Sequence, residues 1–217
     1  MKLYFLQKLG SYSIILGGVL LAAYSICFTF LLPVQEMAID FSKVVNHPNW
    51  IWVTSLALPG IILMVFGFTA VYSRMYDKSG WIGFTGYFFI TIAYIFQIAQ
   101  LVLEIFYYPI IAENDSSVEL LSNNIILNHP LNFIFYYGFQ AFLLLGVLIF
   151  GIALIRFKEF NKIGGILFLF GAIFYAVVSI LSIYIGLAGI IMFAAGCVII
   201  GINIIKDKSL EVSGSSS

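Results

Sequence analysis

Gln97, Gln100 and Glu104, with Tyr108 one turn beyond, are the residues whose types and spacing could do chemistry in this 217-residue chain. Recurring at every third or fourth position, they fall on one face of a helix. The run around them is Phe, Ile, Leu and Tyr. Two amides and a carboxylate in such a run need water, hydrogen-bond donors or a cation, because hydrocarbon supplies none of these. The stripe does not continue inward as an amide, since Ala93 and Tyr94 come next. Gln140, with Tyr136 and Tyr137, lies on a later apolar run and offers a facing partner. The ligand-binding set expected from sequence is therefore Gln97, Gln100, Glu104, Tyr108 and Gln140, lining a polar pocket that opens outward. The same spacing also suits interhelical hydrogen bonding with Glu104 wetted at the interface.

His47 and His129 are the two histidines, each inside an Asn-His-Pro triplet. With Glu36, Asp40, Glu113 and Asp115 nearby in sequence they could ligate zinc. The Pro after each points instead to helix entry, where a capping side chain is wanted and a missing N–H is harmless. No metal, cofactor or catalytic residue is expected. The sequence has no HExxH, GxSxG, P-loop or CxxC motif, which argues against an enzyme. No lysine falls within an apolar run, which excludes a retinal Schiff base, and no cluster of charges suggests a proton pump. Cys27 and Cys197 fall at different depths and are not expected to pair.

The elements that must carry these residues follow from composition. The chain is 62% hydrophobic and 9% charged, with mean hydropathy +1.08, whereas soluble domains carry roughly 25% charged residues. Much of it must be solvated by lipid. The apolar runs are continuous and lack the period of two of a barrel strand, so they read as helices. They place spans at about residues 10–32, 50–73, 81–112 and 131–155, with two more between 163 and 205 joined by a tight turn near Tyr184–Gly186. The fold expected is an all-α bundle of six transmembrane helices over residues 1–208, with residues 209–217 a disordered tail or a non-native appendage. The first apolar run is longer than a signal-peptide core and reads as a retained helix. Pro59 is expected to kink the second helix.

Nine of the ten Lys and Arg residues fall on one side of this arrangement, and Lys43 alone falls on the other. That bias predicts both termini in the cytoplasm. Trp50 and Trp52 are expected at the outer interface, and Trp81 at the inner one. Val118, Leu121, Ile125 and Ile126 make an apolar face that could lie on the membrane. Glycines hint at a helical hairpin repeated three times. Lys-x-Gly opens it at Lys8-Leu9-Gly10, Lys78-Ser79-Gly80 and Lys162-Ile163-Gly164. Matching tails close it at Gly151–Arg156 and Gly201–Lys206, with Phe66-Gly67 and Arg74 a looser third copy. Membrane helix packing alone also favours such glycines.

The stretch from Gly146-Val147-Leu148-Ile149-Phe150-Gly151 through Arg156 to Lys162-Ile163-Gly164-Gly165-Ile166-Leu167 and Gly171 resembles multi-pass membrane proteins of bacteria and archaea grouped as domains of unknown function. The resemblance implies an integral protein of a prokaryotic cytoplasmic membrane and carries over no site residue. The function expected is binding or transport of a small or lipophilic molecule, with the lipid bilayer as surroundings and no nucleic acid. The alternative is a membrane partner subunit, immunity factor or sensor acting through helix packing.

Overall fold

The computed structural model describes residues 3–157, 160–178 and 182–206. Within them the chain is all-helical: α1 (Leu3–Leu31), a 3-10 turn (Val34–Glu36), α2 (Phe41–Val45), α3 (Trp50–Val102), a π turn (Leu103–Tyr107), α4 (Tyr108–Glu113), α5 (Glu119–Ser122), α6 (Pro130–Arg156), α7 (Lys162–Val178) and α8 (Ile183–Lys206). Four stretches are long and apolar enough to cross a membrane: Phe5–Leu31, Trp50–Glu113, Pro130–Arg156 and Ile183–Lys206. The helix over Lys162–Val177 is apolar but shorter.

The Trp50–Glu113 stretch counts 64 residues, and as one rod it would run roughly 95 Å, about three bilayer cores. It folds back instead. Gly80 has φ 51 and ψ −142, a conformation that costs glycine little and other residues much. Tyr72 and Tyr87 stack with ring centroids 4.8 Å apart, and the Thr69 and Tyr87 hydroxyls are 3.0 Å apart. On an unbroken helix these pairs would be separated by roughly 22–27 Å. The stretch is therefore two antiparallel arms, 50–79 and 81–102, joined at Gly80. Pro59 lies inside the first arm.

The rods form a closed ring, each antiparallel to the one before and after it, at contacts where glycine lets backbones approach. Gly17 of α1 faces Gly60 and Met64 of the first arm, and Gly86 of the second arm faces Phe150 of α6. Gly151 of α6 meets Leu169 of α7, Gly171 of α7 meets Gly189 and Phe193 of α8, and Gly201 of α8 closes the ring on Ser11 and Ile15 of α1. This arrangement gathers Lys8, Arg74, Lys78, Arg156, Lys162 and Lys206 at one end, the basic end. The connections carrying α2, α4 and α5 gather at the other, the loop end.

Toward the basic end the axis is plugged by aromatic rings. Phe68 meets Tyr94, Phe150 and Phe168 at centroid distances of 5.7, 5.9 and 5.8 Å, and Phe168 meets Phe193 at 5.0 Å. None of the five is more than 3% exposed. The loop end has a smaller core of its own, in which Phe41 packs edge-on against Trp50 and Tyr108 beside Val44 and Leu121. Asp40 starts α2 by accepting a hydrogen bond from the Ser42 amide at 3.1 Å. Asn124 ties the two long connections together, its side-chain amide donating to the Ala38 carbonyl at 3.0 Å.

Several expectations are corrected here. Trp50 is 1% exposed and belongs to the loop-end core, not the lipid interface, while Trp52 and Trp81 are exposed. The apolar face expected in Ser117–Leu127 is split: Leu121 is fully buried with Ile126 and Leu127 packed beside it, while Ile125 is exposed. Tyr184–Gly186 lies inside α8, because α7 ends earlier, at Val178. The expected tail, 209–217, lies outside the described residues.

Candidate functional site

Glu104 sits on the π turn, and Pro109 explains why a π turn forms there. Proline has no N–H and its ring crowds the carbonyl four residues back, so α register cannot persist across it. The Tyr108 amide reaches back five residues to the Leu103 carbonyl. The Glu104 carbonyl would then look to residue 109 for a donor and find proline. The Trp50 indole fills that role, its Nε1 donating to the Glu104 carbonyl at 2.9 Å. A sequence-encoded break in one helix is thus closed by a side chain from the start of α3. Wider turns of this kind recur at functional sites.

From this turn Glu104 faces a cavity of about 320 Å³ in the loop-end half of the ring. Gln97, Gln100, Leu101 and Glu104 form one wall, and Tyr24, Ser25, Phe28 and Thr29 of α1 form another. Tyr136 and Phe139 of α6, Tyr175 of α7, and Ile183, Gly186 and Leu187 of α8 complete it, with Met37 at the loop end. Gln100 Nε2 donates to Glu104 Oε1 at 2.9 Å. Gln97, Tyr24 and Tyr175 line the same space as Glu104. Below Gln97 the space narrows to a void of about 10 Å³, between Tyr94, Leu143, Ala172 and Phe193. That is room for about one water, and the aromatic plug closes it beneath.

Three of the five residues expected from sequence, Gln97, Gln100 and Glu104, meet at this cavity. Tyr108 is buried in the loop-end core against Phe41, because the π turn adds a residue to the helix and rotates it off the stripe. Gln140 is half-buried next to Phe139 but is not among the lining residues. Sequence reasoning missed the α1 wall, although Tyr24-Ser25 and Phe28-Thr29 repeat at an interval of four. It also missed Tyr175, which has no polar neighbour to mark it, and Gly186, which reads as a turn.

The histidines stand apart from the cavity. His129 is the N-cap of α6, its Nδ1 accepting from the Leu131 amide at 3.3 Å. His47 accepts from the Asn49 amide at 3.2 Å, so it braces the turn before α3 while Asn49 takes the cap position. Among the described residues no group of three or more His, Cys, Asp or Glu is placed to hold a metal. Cys27 and Cys197 are both free.

Compared with protein-family models, with curated proteins and with solved structures, the chain has no significant match. The local likeness at 146–171 extends to no family model.

Proposed function

We propose that this protein is a six-span membrane protein that binds a small or lipophilic molecule in the loop-end cavity. The observation that carries the reading is the cavity itself. A volume of about 320 Å³ lies within the range of roughly 300–1,000 Å³ typical of small-molecule sites. Its walls are mainly apolar and aromatic, with Gln97, Gln100 and Glu104 converging in one patch, which is the usual make-up of such sites. A bundle that acts only through its outer surface has no need of a polar space in its interior, so this favours binding over a role by helix packing alone. Because the aromatic plug closes the basic end, transport requires that plug to open, whereas binding requires nothing further.

Six spans are supported by the break at Gly80 and by α7, whose 17 residues run roughly 25 Å, close to a hydrocarbon core. With six spans, the clustered Lys and Arg put both termini in the cytoplasm and the cavity toward the outside. The prokaryotic cytoplasmic membrane is the setting that the likeness at 146–171 suggests. A threefold hairpin repeat draws support from glycine contacts. Gly146 and Gly196 each face the odd helix of their own hairpin, at Ile90 and Phe168, while Gly151 and Gly201 each face the next odd helix, at Leu169 and Ile15. The first hairpin departs from this, since Gly67 packs on Ile14, and Gly80 meets no atom where Gly10 and Gly164 are in contact.

The test is a thermal-shift screen of lipids and small metabolites against the purified protein and two cavity-filling variants. Gly186→Phe extends from a position with open space around it, and Ser25→Phe extends from the α1 wall. A compound bound in the cavity raises the melting temperature of the wild type and of neither variant. Compounds that stabilise all three proteins equally would show that the cavity is not the site.

A further inference from the structure

We infer that the cavity takes an organic cation, an ammonium group carrying apolar substituents. The inference rests on reading the cavity as a binding site and names what it would hold. Glu104 is the acidic residue of its lining, and no described Lys, Arg or His lines it. The Glu104 carboxyl accepts a hydrogen bond from Gln100 Nε2 at 2.9 Å, a neutral donor, so when ionised it has no counter-charge in the described lining. A second feature points the same way. Tyr24, Phe28, Tyr136, Phe139 and Tyr175 line the same space, and aromatic rings attract cations through their quadrupoles, most strongly where water is scarce.

The three ligand charges have different consequences. An anion would meet an unneutralised carboxylate. A neutral ligand would displace water from the carboxyl and offer no counter-charge, so Glu104 would have to hold its proton beside it. A cation satisfies the carboxylate and the rings together, while its apolar substituents fill the walls made by Leu101, Ile183 and Leu187. The Gln97 and Gln100 amides and the Tyr175 hydroxyl then orient the charged head.

The experiment is isothermal titration of the full chain in phosphatidylcholine nanodiscs with two probes of nearly equal shape, benzyltrimethylammonium and the neutral dimethyl benzyl carbinol. The ammonium is expected to bind about tenfold more tightly than the carbinol or better. Glu104→Gln should weaken the ammonium by about tenfold and leave the carbinol unchanged, and Glu104→Asp should keep the preference. The wild-type preference is readable even if a variant does not fold. Equal affinity for both probes overturns the cation assignment and leaves the binding-site reading intact. Failure of the wild type to bind the ammonium overturns the cation assignment, and the thermal-shift screen with the cavity-filling variants decides the binding-site reading separately.

Discussion

At the residue scale the protein turns on an exchange of hydrogen-bond partners. Pro109 removes a donor from the helix, the π turn follows, and Trp50 restores the lost bond at the Glu104 carbonyl. A carbonyl left without a donor in an apolar interior costs about 1–3 kcal/mol. Trp50→Phe should therefore destabilise the protein by about 1–3 kcal/mol, measured as unfolding in detergent. Pro109→Ala supplies a backbone N–H where the helix lacks one, so the same Trp50→Phe change made in that background should cost markedly less. An undiminished cost in the double variant would mean that the indole acts by packing alone. None of this was legible beforehand. Trp50 and Pro109 are far apart in sequence, and a tryptophan at a span boundary reads as an interfacial anchor whether or not its N–H finds a partner inside.

Among the elements, two glycines with equal space around them should respond in opposite ways. A methyl group at Gly80 or at Gly186 meets no atom within 4 Å. Gly80 has φ 51 and ψ −142, so Gly80→Ala should cost about 1–3 kcal/mol through backbone strain. Gly186 lies within α8, and Gly186→Ala should be neutral or stabilise by about 0.5–1 kcal/mol. Thermal unfolding of the two variants side by side decides this, and a harmless Gly80→Ala would remove the strained turn from the account. Gly171 is different again. A methyl group there would lie 2.7 Å from the Gly189 carbonyl oxygen, so Gly171→Val should separate α7 from α8 and lower the melting temperature well below either alanine variant. The helices themselves were legible because continuous apolar runs leave no alternative to helix in lipid. The end of α7 was not, because Gly186 looks the same in a turn as in a helix that borders open space.

For the whole molecule, the charge bias predicts which end faces the cytoplasm. A cysteine at Ser116, exposed at the loop end, should react with a membrane-impermeant maleimide in intact cells, and one at Asp77, exposed at the basic end, should react only after permeabilisation. The reverse pattern would invert the topology. At this scale the sequence carried the helical class and one wall of the cavity, because three polar residues at helical spacing must share a face. It did not carry the opposite wall. Tyr24, Phe28 and Tyr175 are amphipathic residues of a kind common throughout the chain, and only the closure of the ring brings them to Glu104. Nor did it carry the plug, since Phe68, Phe150, Phe168 and Phe193 are indistinguishable in sequence from phenylalanines that face lipid.

The central claim is that the ring encloses a largely apolar cavity with one polar patch, reachable from the loop end and sealed from the basic end. The most direct measurement is thiol reactivity of Gln100→Cys and Phe150→Cys, each in a chain with Cys27 and Cys197 changed to alanine. In sealed, oriented vesicles, a small impermeant methanethiosulfonate should modify Gln100→Cys from the loop side alone and leave Phe150→Cys untouched from either side. Protection of Gln100→Cys from the loop side, or its modification from the basic side, would contradict the account.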